Sequence, residues 1–101
     1  MAAYVIADVS VHDADRYDDY KQMAPVSIAK YGGRYLARGG ATEALEGSWR
    51  PTRLVILEFP TYARAKEWWA SAEYAPAKAL RHQTATSNLM LLEGFDPGPI
   101  R

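Results

Sequence analysis

Ten residues, Tyr31-Gly-Gly-Arg-Tyr-Leu-Ala-Arg-Gly-Gly40, constrain this chain more than any others. Two glycine pairs bracket a short strand with an arginine at each end. Gly32-Gly33 marks where a helix stops, because glycine reaches left-handed backbone angles without a Cβ clash. Gly39-Gly40 ends the strand at a point where a side chain would obstruct a bend or an approaching ligand. Arg38 is thereby held at a strand end, a position from which a guanidinium meets an anion.

The rest of the chain falls into place around that strand. Residues 4–11 are β-rich and read as a first strand. Two candidate caps, Asp13 and Asp15, precede Tyr17, Tyr20, Met23, Ala24, Ile28 and Tyr31, which recur at helical spacing. Pro25 removes a backbone donor inside that helix, so a kink or restart is expected there. Residues 34–38 are the second strand and residues 53–59 the third. Between them lies a connection, residues 41–52, that carries Leu45 and Trp49. Thr61 is the expected cap of a second helix bearing Ala65, Trp68 and Trp69. Ser71 caps a further helical segment to about residue 85, with Pro76 in its first turn. Residues 89–93 are the last strand, and a tail runs from about residue 95. The order βαββαβ describes a ferredoxin-like sandwich, an α+β fold with a four-stranded antiparallel sheet and helices on one face, as a single domain over residues 1–101.

An antiparallel sheet with one wet face alternates apolar and polar residues. Leu54-Val-Ile-Leu57 and Leu89-Met-Leu-Leu92 do not. Helices cover one face only, so the second face is expected to meet the same sheet of another copy, in a homodimer. Composition agrees: 49% of the 101 residues are hydrophobic, with seven Tyr and three Trp. A chain this short buries only about 60–70% of its unfolded surface. The connection with Leu45 and Trp49 is expected to pack across that dimer.

Twelve basic and twelve acidic residues cancel, which argues against nucleic acid, whose binding is dominated by cationic contacts to phosphates. There are no cysteines, so disulfides, thiolate metal sites and a Cys nucleophile are excluded. No run approaches the ~20 apolar residues of a membrane span, and nothing resembles a signal peptide. A cytoplasmic protein that binds neither nucleic acid nor membrane is expected. Neither a metal site nor a cofactor is implied.

The ten-residue stretch is joined by Leu45-Glu-Gly47 with Trp49 and Pro51, by Glu58-Phe-Pro60, and by Ser71-Ala-Glu-Tyr74 leading to Arg81. Together these resemble the family termed domain of unknown function 1330, over roughly residues 3–94. The resemblance implies the dimeric α+β barrel superfamily, in which two ferredoxin-like monomers pack their sheets together. Relatives there include cofactor-independent monooxygenases, haem-degrading enzymes, lactone isomerases and stress-responsive binding proteins, with pockets between helices and sheet. It implies no particular reaction.

Three residues are candidate catalytic groups. Glu58, on a strand covered on both sides, is a candidate general acid or base. The competing reading is an ion pair with Arg38, Arg53 or Arg81. Arg38 and Arg81 are candidates to clamp a carboxylate or enolate. Tyr74 lies seven residues, two helical turns, before Arg81 and shares its face. Tyr74, Tyr17, Trp68 and Ser71 are the candidate ligand-binding residues, with core packing for the aromatics and helix capping for Ser71 as competing roles. Tyr20 is expected in the core, His12 does not complete a metal site, and His82 lies in a polar stretch at the surface. Two functions follow. One is a cofactor-independent enzyme acting on a small carbonyl, enol or aromatic substrate. The other is a non-catalytic homodimer that binds a small ligand or acts as a scaffold.

Overall fold

A computed structural model describes residues 1–96, and the far end of the expected tail, residues 97–101, lies outside them. The elements run β1 (Ala3–Val11), α1 (Ala14–Lys30), β2 (Arg34–Arg38), β3 (Leu54–Phe59), α2 (Tyr62–Trp69), α3 (Ala75–Thr84) and β4 (Ala85–Glu93). The four strands form one antiparallel sheet in the order β2-β3-β1-β4. This is the expected ferredoxin-like arrangement, with the second crossover split into two short helices.

Alternation along the central strands separates the two faces. Val5, Ala7 and Val9 of β1 and Val55, Leu57 and Phe59 of β3 are buried. They join Tyr17, Ala24 and Ile28 of α1 with Trp68 and Ala77 of α2 and α3 in one core. Tyr4, Ile6, Leu54, Ile56 and Glu58 point to the outer face and are only half-buried. Met90 on the same face of β4 is 66% exposed.

β4 begins at Ala85, four residues before the expected Leu89. The reason is tertiary: β1 is nine residues long and pairs with β4 along its whole length, from Ala3 opposite Glu93 to Val11 opposite Ala85. That pairing recruits Ser87 and Asn88, which carry little strand signal of their own, together with Thr86.

α1 does not restart at Pro25; it runs from Ala14 to Lys30 with the proline inside it. A proline deprives the carbonyl four residues earlier of its donor, here that of Lys21. Arg38 Nη2 supplies the missing bond at 2.7 Å. α1 then stops as expected. Gly32, at φ +76°, bonds its N–H to Ala29 O, and Gly33 bonds to Ile28 O. These two bonds close a Schellman motif. Gly33 has a second reason to be glycine: a Cβ there would lie 2.6 Å from the Phe59 ring and 2.8 Å from Ile28.

A β-bulge interrupts β2. Tyr35 lies opposite Leu57, Ala37 opposite Ile56 and Arg38 opposite Val55, so Leu36 has no opposite number. In an uninterrupted strand, residues three apart face opposite ways. The extra residue instead puts Tyr35 and Arg38 on the helix-covered face together, and so re-aims the arginine.

Residues 40–50 are exposed throughout. Leu45 is 91% exposed and Trp49 60%. Asp8 holds the end of this arm, accepting from Trp49 Nε1 at 3.2 Å and from the Thr52 N–H at 3.0 Å.

Candidate functional site

Between helices and sheet the core turns polar around Arg81. The local chain sets this up. Thr61 caps α2 by accepting from the Arg64 N–H at 3.0 Å. Ser71 then joins the helices, its hydroxyl donating to Trp68 O at 2.7 Å and accepting from the Tyr74 N–H at 3.1 Å. This fixes Tyr74 at the head of α3, and two turns later Arg81 reaches back along the same face to donate from Nε to Tyr74 Oη at 3.3 Å. Tyr74 and Tyr20 share a hydrogen bond of 2.9 Å between their hydroxyls. Trp68 stacks beside Tyr74, centroids 4.1 Å apart, and donates from Nε1 to Ser27 Oγ at 3.1 Å.

Arg81 is 3% exposed, forms no ion pair among the described residues, and leaves Nη2 buried without a hydrogen-bond partner. A buried charge without a partner is costly, so such groups usually neutralise, pair or bind something. Arginine cannot neutralise. Burial is the main cause that drives the Tyr20 phenol well above its ordinary range, with Tyr74 adding to it. Burial likewise raises Tyr35, against an opposing pull from Arg38. Raised in this way, both phenols keep their protons at neutral pH.

Arg81 borders two spaces. On one side is a groove of about 550 Å³ between α2, α3 and β4, walled by Trp68, Trp69, Leu89 and Leu91. Ser87 also lines it, and Ser87 Oγ is a second buried polar atom without a partner. His82 and Lys66 stand at its side, and no carboxylate is among the described residues that line it. The volume lies within the range of small-molecule sites. On the other side is an inner cavity of about 30 Å³ lined by Tyr17, Tyr20, Tyr35 and Tyr74, room for about one or two waters. Its far end is bounded by Lys21, Arg38 and Arg53, which also line an open hollow of about 540 Å³.

Among the residues singled out in the sequence, Arg81 and Trp68 line both groove and cavity, Tyr17 and Tyr74 line the cavity, and Arg38 lines the cavity and the open hollow but not the groove. Ser71 is buried outside both, its hydroxyl spent on joining the helices. Glu58 does not meet Arg38, Arg53 or Arg81. It lies on the outer face because the even-numbered residues of β3 point away from the helices, and its partner is Arg34 Nε at 2.7 Å. His82 is exposed as expected, yet it also borders the groove. Sequence reasoning passed over Ser87. Counting back by twos from Leu91 and Leu89 would have put it on the same inner face.

The fold is shared with several solved proteins. A protein of unknown function from Rhodopseudomonas palustris superimposes with a TM-score of 0.75 at 21% identity, over 95% of this chain and 84% of that one. The cofactor-independent oxygenase SnoaB from Streptomyces nogalater gives 0.62 at 12% identity, over 98% and 97% of the two chains. A putative antibiotic biosynthesis monooxygenase from Nitrosomonas europaea gives 0.56 at 15% identity, over 95% and 92%. At these identities the likeness concerns the fold, that of the dimeric α+β barrel proteins. Comparison with curated proteins finds no significant match. The family model for the domain of unknown function DUF1330 matches residues 2–95, nearly the whole chain, and the protein belongs to that family.

Proposed function

We propose that the groove beside Arg81 binds a small carbonyl compound as its enol or enolate, and that the protein is a cofactor-independent enzyme acting on it. The observation that carries this reading is the buried Arg81 guanidinium, whose Nη2 has no partner, in a residue that lines two spaces free of carboxylates among the described residues. When a proton leaves the carbon beside a carbonyl, negative charge develops on the oxygen. A preorganised donor in a desolvated site stabilises that charge far better than water does. Arg81 is the first donor and the Ser87 hydroxyl the second. Tyr74, itself bonded to Tyr20, accepts from the guanidinium's Nε, Trp68 and Trp69 take the flat apolar body of the substrate, and the His82 imidazole receives the proton. The fold shared with SnoaB, a cofactor-independent oxygenase, supports the enzyme class; the residues rest on their own geometry.

A 1,3-diketone such as acetylacetone tests this, because its enol and enolate differ in ultraviolet absorption. The protein is expected to draw the diketone into the enolate at a pH where the free compound is protonated. Arg81→Met is expected to abolish the difference spectrum while keeping the far-ultraviolet circular dichroism. No enolate signal at saturating diketone sinks the binding assignment. Enolate formation without oxygen uptake or product points to the non-catalytic ligand-binding reading.

The same proposal includes a homodimer through the outer sheet face, with the arm of residues 40–50 reaching across it. Ile6, Leu54 and Ile56 are half-buried there and Met90 is 66% exposed, and contiguous exposed apolar residues of this kind suit a protein–protein contact. Light scattering at micromolar concentration is expected to give twice the chain mass, and Ile56→Lys to halve it. A monomeric wild type overturns the interface.

A further inference from the structure

We propose a second anion-binding site, separate from the groove, in the hollow where Arg38 and Arg53 meet, built to take a small oxyanion group such as a phosphate or carboxylate. Three unrelated features of the backbone converge on this place. The bulge at Leu36 puts Arg38 on the helix-covered face with Tyr35, where it stays exposed at the rim. Pro25 frees the Lys21 carbonyl, and Arg38 Nη2 anchors on it at 2.7 Å, leaving the guanidinium's other N–H groups available. Gly39, at φ +69°, leaves room for Arg53, since a Cβ there would lie 2.3 Å from Arg53 Nη1. A single one of these would be ordinary packing; all three bear on how two like charges come to line the same hollow.

Those charges are not neutralised by the protein. Neither Arg38 nor Arg53 forms an ion pair among the described residues. Asp18 is the one carboxylate lining the hollow among those residues, and it is taken by Lys21 at 2.9 Å. Arg53 Nε is buried without a hydrogen-bond partner. The guanidiniums rest on aromatic rings, Arg38 at 4.3 Å from the centroid of Tyr35 and Arg53 at 5.8 Å from that of Tyr17. Stacking holds a guanidinium flat and leaves its N–H edge to bond an oxyanion, the geometry in which arginine binds carboxylate and phosphate bidentately. Adjacent like charges raise the energy of the empty site, and a bound anion relieves it.

The site is independent of the reading at Arg81. Arg81 lines the groove and the inner cavity but not this hollow, and Arg38 and Arg53 do not line the groove.

The test is a titration of the full chain with inorganic phosphate and, separately, with acetate, at ionic strength held constant with chloride. It is read by the arginine Nε–Hε resonances in ¹H–¹⁵N spectra. Saturable shifts of the Arg38 and Arg53 signals are expected, with a dissociation constant of about millimolar or tighter for at least one of the two anions. Tighter phosphate identifies a phosphate group as the natural ligand, and tighter acetate a carboxylate. Arg53→Gln is expected to weaken binding about tenfold or more. Pro25→Ala, which returns a helical donor to Lys21 O and releases Arg38, is expected to weaken it while the fold is kept. Arg81→Met is expected to leave the titration unchanged, which separates this site from the groove. Shifts that fail to saturate, or that chloride reproduces, overturn the proposal. So does binding that survives Arg53→Gln and Pro25→Ala undiminished in folded protein.

Discussion

On β3, Val55, Leu57 and Phe59 face the helices while Leu54, Ile56 and Glu58 face away, and as sequence the two sets look nearly alike. Their surroundings differ in one respect. On the outer face the charges have protein partners: Glu58 pairs with Arg34, and Asp8 accepts from Trp49 and Thr52. On the helix face Arg81 Nη2, Arg53 Nε and Ser87 Oγ are buried and have none. The face that spends its polar groups on itself is suited to holding structure together. The face that leaves them unspent, at a cost in stability, is suited to holding something else.

The largest effect expected from this contrast is on the core that supports the inner face. Trp68 is 1% exposed and packs against both Phe59 and Tyr74. Trp68→Ala is expected to lower the unfolding free energy by about 3–5 kcal/mol in denaturant titration. Next comes Arg81→Met. If the unpaired guanidinium is kept for function, its replacement by an apolar chain of similar length stabilises the fold, by about 1–2 kcal/mol, while diketone binding is lost. A destabilised Arg81→Met would mean that Arg81 is a structural group after all. On the outer face, Glu58→Ala is expected to cost less than about 1 kcal/mol, because its pair with Arg34 is exposed to solvent, and to leave diketone binding intact. Turnover lost at unchanged stability would return the chemistry to Glu58 and break the distinction between the faces.

The smallest effect lies outside both faces. Glu73 accepts from the Tyr31 phenol at 2.8 Å and pairs with Lys30 at 3.1 Å. The Tyr31 bond first, then bonds from its own backbone and from Lys30, hold its carboxyl down at about 2. A depressed carboxylate contributes stability that is full above the ordinary carboxylate range and is lost as pH falls toward about 2. Glu73→Gln is therefore expected to lower stability slightly at neutral pH, with the difference from the parent protein vanishing as pH falls toward about 2, which flattens the acid limb of the curve.

Much of the fold was legible because it is written in local chemistry. Gly32 and Gly33 stop α1, Thr61 starts α2, and the β-rich runs at residues 4–11 and 53–59 are the two central strands. Ser71, Tyr74 and Arg81 could be put in one neighbourhood by helical spacing. What escaped is parity and partnership. An extra residue at Leu36 decides which way Arg38 faces, and no residue type announces a bulge. A single position of register puts Glu58 on the outer face. The penalty expected at Pro25 was correct for an isolated helix and was offset by an arginine 13 residues further along the chain. Ser87 was hidden in a polar run that becomes strand only because β1 is long enough to demand a partner there.

The strand order has a consequence for how the protein behaves in concentrated solution. β2 and β4 are the two rims of the sheet. β2 is five residues long, bulged, and flanked by Arg34 and Arg38, a rim that offers a poor template to a stray strand. β4 is nine residues long and carries no charge or proline before Glu93. Misassembly at high concentration is therefore expected to begin along β4. Asn88→Lys would charge this rim and spare the buried side of the strand, but on the outer face it also tests the proposed contact with a second copy.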